Sequence, residues 1–330
     1  GSVRIKVKFG ETHCEPFVSR LFHALGYFVD PVDYAPRLKL RYDRRFFQEF
    51  NSLPELKMKI GLLFIPIHTF HFERVYNPFD FVEEAFLNNG TRLSRDAFES
   101  MLLRDRAAKD RFAAENFNRE VEASIDYLVT REANVQIKGE NGQSIGPWAF
   151  DDLDHENLRE VRGAGVLAAW VGWWDARFEN TRLRVVESES GTRLRHYFSD
   201  LGAGLGRAAG TFSHSSEEGD EFAPTFTRGF RRFGEWRIDF PGYEPIEDNT
   251  AFKEMTFDDA RWMARLIAEL SETQIREALM ASGFSREEVE LYTRKLMSRR
   301  EQLLRDTRLM DEFEVSPEHV FEGKHQALTR

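Results

Sequence analysis

WWDARFEN, residues 173–180, closes a long apolar run, and some twenty residues later the chain reads SDLGAGLG, residues 199–206. Asp175 and Asn180 stand five apart, and Asp200-Leu201-Gly202 follows. Between them RLRVVESESGTRLRHYFSD holds two β-rich runs around Glu189-Ser190-Gly191, the pattern of a hairpin. A hairpin brings the chain back to where it began, so Asn180 and Asp200 are expected at one place.

Before this region, HENLREVRGAGVLAAWVGWW can carry one long helix, although Gly163, Gly165 and Gly172 weaken it. At the other end of the chain VRIKVKF, residues 3–9, alternates apolar and basic, which predicts a strand with Lys6 and Lys8 on one face. Gly10 stops it. PFVSRLFHALG then predicts a helix with Phe17, Leu21, Ala24 and Leu25 on one stripe, Pro16 at its first position and Gly26 as its stop. YFVDPVDY, LKLRY and KMKIGLLFIPIHTFHF read as strands, residues 94–131 as helical, and ANVQIKGENGQSIGPW as strand and turn. Toward the C-terminus Thr256 can cap a helix, and Ser271 with Gln274 and Ser285 with Glu288 form capping boxes. Strands thus dominate the first half and helices the second, which predicts an α+β protein.

The 330 residues include 41% hydrophobic and 31% charged side chains, an ordinary globular balance with room for two lobes. Thirty phenylalanines predict an aromatic-rich core. A net charge of −10 argues against nucleic acid as a main partner. The single cysteine, Cys14, excludes an internal disulfide and every Cys-rich zinc motif. No run approaches the roughly 18 apolar residues of a transmembrane segment. Gly1-Ser2 reads as an expression scar, so the natural chain is expected to extend upstream. Cytoplasmic localisation is the expectation, with export open if that extension carries a signal peptide.

Asp-x-x-x-x-Asn followed by Asp-Leu-Gly resembles the catalytic and metal-binding loops of the protein-kinase-like superfamily. The stretch is more similar to the atypical bacterial and lipid-kinase-like branches, HipA-type and phosphatidylinositol-kinase-type enzymes, than to ordinary Ser/Thr kinases. KVKFGETHCEPFVSRLFHALGYFVD, SIGPWAFDDLDHENLREVRG and LSETQIREALMASGF resemble further blocks of a bacterial family with this core. The resemblance implies a two-lobed fold: a β-rich N-lobe over 1–147, with a helical insertion near 94–131, and a mostly helical C-lobe over 148–330. It implies phosphoryl transfer from ATP with Mg2+ to an acceptor that is a protein hydroxyl, a lipid headgroup or a small molecule. Asp175 would take or orient the acceptor's proton, and Asn180 and Asp200 would hold the metal, whose hardness suits oxygen ligands. Lys8, with Lys6 as second choice, would anchor the nucleotide phosphates. Glu15, with Glu11 behind it, would orient that lysine. The chain departs from the ordinary kinase pattern in four ways. Trp173-Trp174 stand where His-Arg precedes the catalytic Asp, no glycine-rich loop precedes Lys8, Glu15 lies at the start of its helix, and no Ala-Pro-Glu segment is visible.

Two alternatives keep the same fold: a pseudokinase or interaction module, and a nucleotidyl (AMP) transferase. Other motifs point elsewhere. Gly142-Gln143-Ser144-Ile145-Gly146 matches the hydrolase elbow but needs a helix after it. DLGAGLG would need a βαβ unit to be a dinucleotide loop. His68 and His71, three apart on a strand, point to opposite faces and make a poor metal pair. Thr211, Ser213, Ser215 and Ser216 lie where an activation segment would, and read as a solvated loop open to phosphorylation. The sequence leaves the acceptor and the oligomeric state open.

Overall fold

The computed structural model describes residues 5–50, 56–60, 68–72, 77–109, 111–137, 143–188, 191–205, 227–243, 245–247 and 249–313. The protein is α+β, and its chain divides into two compact units, 1–34 with 134–330, and 35–133.

The larger unit opens with β1 (Ile5–Lys8), α1 (Cys14–Ala24), β2 (Phe28–Val29) and β3 (Val32–Ala35). Helix α1 starts two residues before the predicted Pro16. A proline there costs nothing, because the first four N–H groups of a helix have no intrahelical partner anyway.

The smaller unit holds β4 (Leu38–Arg41), α2 (Arg45–Phe50), β5 (Leu56–Ile60), β6 (His68–Phe72), β7 (Val82–Leu87), β8 (Arg92–Ser94), α3 (Arg95–Leu102), α4 (Arg119–Ser124) and β9 (Ile125–Thr130). Its four-stranded sheet runs in the order β4-β9-β7-β8. The predicted helical stretch 94–131 holds two short helices, and Ile125–Thr130 near its end are strand β9. The β-branched Ile125, Val129 and Thr130 favour that pairing, and Ile125 and Leu128 enter the core. The core is a phenylalanine cluster: Phe47 packs on Phe79 with ring centroids 5.0 Å apart and on Phe117 at 5.4 Å. His68 and His71 lie on β6, and their side chains fall outside the described residues.

The chain then returns to the larger unit with β10 (Ala133–Ile137) and β11 (Gln143–Gly146). After these come α5 (Arg159–Val171), the hairpin β12 (Thr181–Ser188) with β13 (Gly191–Phe198), and the hairpin β14 (Arg228–Arg232) with β15 (Glu235–Asp239). Helices α6 (Thr250–Lys253), α7 (Phe257–Ala268), α8 (Glu272–Ala281) and α9 (Arg286–Asp306) follow. Strand β1 pairs antiparallel with β10, Lys8 opposite Asn134. Ser144 lies within β11, opposite Arg184, and so is not at a strand-to-helix elbow. Thr256, Ser271 and Ser285 close the capping boxes of α7, α8 and α9.

Helix α5 is the spine of this unit, with Val166 to Val171 all buried. Its glycines are packing sites. A Cβ on Gly163 would meet the Trp262 ring at 2.5 Å, and one on Gly165 the Phe252 ring at 2.7 Å. The helix ends at Gly172, whose φ of +68° turns the chain out of the helix before Trp173. Gly165→Ala would gain about 1 kcal/mol of helix propensity but lose about 1–3 kcal/mol to overpacking. A net loss in urea denaturation is therefore expected. A gain would mean that the Phe252 ring moves aside freely. All six tryptophans belong to the larger unit, so indole fluorescence reports its unfolding alone. Among the described residues no helix is long and apolar enough to cross a membrane.

Candidate active site

Strand β1 ends at Lys8, and six residues later α1 begins, so a short turn carries the chain from the lysine to Glu15 in the helix's first turn. The Lys8 ammonium donates to both Glu15 carboxylate oxygens, at 2.9 and 2.8 Å, and to Asp200 Oδ1. Burial works against the charge on Lys8, but the Glu15 and Asp200 carboxylates outweigh it and raise its pKa above the ordinary value. Glu15 itself is 1% exposed. Asp200 is the more open partner, its side chain 45% exposed, and it sits at a left-handed φ of +57° at the start of a 3-10 turn, Leu201–Ala203. Short polar residues tolerate that conformation best. Burial would raise the Asp200 carboxyl, but Lys8, and more weakly Lys6 and Arg177, bring it below its ordinary value. Lys6 is exposed and makes no part of the Lys8–Glu15 pair.

The hairpin register sets Thr181 opposite Phe198, and Ser199 N–H donates to Asn180 O at 2.9 Å. That bond ties the residue before Asp200 to Asn180. The buried Asn180 amide donates to Asp175 O at 2.8 Å and to Asp175 Oδ2 at 2.9 Å. Arg177 Nε lies 3.0 Å from Asp175 Oδ1. Burial raises the Asp175 carboxyl, Arg177 and Asn180 oppose it, and the nearby Asp200 charge adds to the rise. The loop is anchored from outside as well: Tyr243 Oη donates to Trp173 O at 2.9 Å and Ile246 N–H to Trp174 O at 2.7 Å.

Trp173 is fully buried and packs edge-on against Phe22 of α1 at 5.6 Å and Phe198 of β13 at 6.0 Å. This aromatic cluster joins the helix that carries Glu15, the strand that leads to Asp200 and the loop that carries Asp175. It gives Trp173 a packing role.

Glu11, second choice from sequence as the lysine's partner, also lies here. Its φ is +55°, an uncommon conformation for a glutamate. Its side chain rests against Gly202, where a Cβ would meet Glu11 Oε2 at 2.0 Å and Glu11 Cβ at 2.6 Å, so a larger residue at 202 would displace Glu11. One oxygen each from Glu11, Glu15 and Asp200 lies within 4.8 Å of the others, a spacing that a metal ion could bridge. The carboxylates grouped with Asp200 at ligand spacing are Glu11 and Glu15, while Asn180 donates its amide hydrogens to Asp175.

Burial pushes the Glu11 carboxyl up to about 7; Lys8 opposes that, while Asp200, Glu15 and Asp175 add to it. A carboxyl raised in the folded state above its unfolded 4.5 favours folding most below that value, and the contribution is lost as pH climbs through about 7. Glu11→Gln should therefore change little at about pH 5 and stabilise by about 1–3 kcal/mol at about pH 8.5. Urea denaturation followed by tryptophan fluorescence checks this. Equal effects at both pH values would count against the shift.

Two buried residues of the site gave no signal in the sequence reading. Asn134 on β10 is 0% exposed and contacts Glu15, while Gln136 is 3% exposed and donates to Asp30 Oδ2 at 3.0 Å. Their alternation in ANVQI could have flagged a polar strand face, but not that the face is buried. Residues 207–222, read from sequence as a solvated loop open to phosphorylation, lie outside the described residues. No family model, curated protein or solved structure matches the chain.

Proposed function

We propose that this chain is an atypical kinase that transfers a phosphoryl group from ATP, with Mg2+, within a two-lobed protein-kinase-like fold of N-lobe 1–147 and C-lobe 148–330. The observation that carries the reading is the Lys8–Glu15–Asp200 ion-pair cluster, with Asp175 and Asn180 hydrogen-bonded beside it. Lys, Glu and Asp from a strand, the next helix and a distant turn meet in the order the kinase-like site requires.

The donor set fits a hard divalent cation. Glu11, Glu15 and Asp200 gather carboxylate oxygens within 4.8 Å of one another, the hard donors such an ion takes. Asp200 would hold the metal, with Asn180 as the predicted second ligand and Glu11 as a further carboxylate in reach. Bound magnesium supplies neutralisation of phosphate charge. Lys8 would place its ammonium on the nucleotide phosphates while Glu15 keeps it aimed. Asp175, fixed by Asn180, would accept the proton of the acceptor hydroxyl. Positioning and charge neutralisation account for such catalysis.

Calorimetry of ATP binding with and without magnesium tests the reading. Saturable, magnesium-dependent binding is expected. A flat titration of the wild-type protein with both ATP and GTP would end it.

A further inference from the structure

We infer that Asn134 is the positioning residue that aims the Glu15 carboxylate at Lys8. It stands directly opposite Lys8 in the β1–β10 register and is completely buried. Its amide Nδ2 donates to Glu15 Oε2 at 3.0 Å, and also lies 3.1 Å from Gly10 O and 3.3 Å from Glu11 O. All three neighbours are acceptors, so the amide nitrogen, not its oxygen, must face them. Asn134 Oδ1 is buried with no hydrogen-bond partner. An unpaired buried acceptor costs free energy, so this residue is held by its nitrogen. One amide therefore grips both ends of the turn between β1 and α1: the carbonyls of Gly10 and Glu11 where the strand ends, and the carboxylate on the helix that follows. It fixes the backbone of Glu11 in its left-handed conformation and turns Glu15 Oε2, the oxygen 2.8 Å from Lys8 Nζ, toward the ammonium. Of the two glutamates beside Lys8, Glu15 is the one whose carboxylate this amide contacts.

The consequence for nucleotide binding rests on the kinase-like reading; the positioning itself does not. The test is a double-mutant cycle with two readouts. The first is the rate at which an amine-reactive reagent labels Lys8 in the nucleotide-free protein at fixed pH, followed by mass spectrometry. Asn134→Leu should speed labelling about fivefold in the wild-type background and less than about twofold in Glu15→Gln, the non-additivity of residues that act as a unit. Asn134→Ala serves as the second variant if Asn134→Leu does not fold. An unchanged labelling rate, or an equal increase in both backgrounds, overturns the proposal, because a purely structural asparagine would loosen the site whether or not residue 15 is a glutamate. The second readout is the dissociation constant for Mg·ATP, expected to weaken about tenfold in Asn134→Leu and little further in Glu15→Gln. Coupling in the labelling assay together with no ATP binding by wild type would sustain the positioning role and sink the kinase reading. ATP binding with no coupling would do the reverse.

Discussion

Asp200→Ala is expected to abolish magnesium-dependent nucleotide binding, while Asp175→Asn leaves binding nearly intact and removes transfer. The two aspartates sit in one site but in different environments. Asp200 is half exposed, carries the lower carboxyl and is grouped with two further carboxylates at ligand spacing. Asp175 is more enclosed, its carboxyl raised by burial, and it accepts a hydrogen bond from Asn180. An ionised, reachable oxygen suits a cation. A raised carboxyl held by a neighbour suits proton transfer. Losing Asp200 should weaken Mg·ATP binding by about a hundredfold or more, since hard-cation sites depend on their carboxylates. Asparagine at 175 keeps an acceptor oxygen for Asn180, so binding should change by less than about threefold while ATP turnover falls by about 10²–10⁴. Calorimetry and an ADP-release assay on the same preparations separate the two. Asp200→Ala binding Mg·ATP as tightly as wild type would remove the metal role of Asp200. An equal fall in binding for both variants would remove the division of labour.

Lys8→Met is expected to be the most destabilising single change at the site, whatever the site's function. It deletes the cation that faces a carboxylate of 1% exposure and leaves Glu15 with only the Asn134 amide. Removing one partner of a buried pair costs about 3–5 kcal/mol, because the remaining charge is uncompensated. Adding Glu15→Gln removes that charge and should recover all but about 1 kcal/mol. The raised Lys8 value means that its contribution is fully present below 10.5 and is lost only as pH climbs through its higher folded value, so the penalty should be flat from about pH 6 to 9. Urea denaturation followed by tryptophan fluorescence measures it. A penalty below about 1 kcal/mol would place the pair among weak surface ion pairs.

The parts of this site legible in the sequence are those set by local geometry. Asn180 and Asp200 come together because a hairpin returns the chain, and hairpins announce themselves in alternation and turn residues. Lys8 and Glu15 are seven residues apart, joined by one short turn, so their meeting needed little beyond a strand, a glycine and a helix start. The capping boxes of α7, α8 and α9 are likewise local. Helix α5 was legible despite Gly163 and Gly165, and these glycines are where Trp262 and Phe252 approach it. The misread element is the one where tertiary packing overrode a local rule. The last residues of 94–131 passed for helix until their place beside β4 and β7 made them a strand.

By itself the sequence determined the alternation of β1 and β10, the hairpin and the pairing of residue types. It could not say which face of β10 is inside. In the folded chain Asn134 and Gln136 are buried and Ile137 is 38% exposed, the reverse of the usual hydrophobic-in pattern. Alternation has the same period whichever face is covered, and only what packs on the strand decides. Here the β1–α1 turn and Asp30 cover the polar face, taking the amide N–H groups of Asn134 and Gln136 onto carbonyls and carboxylates more than a hundred residues away in the chain.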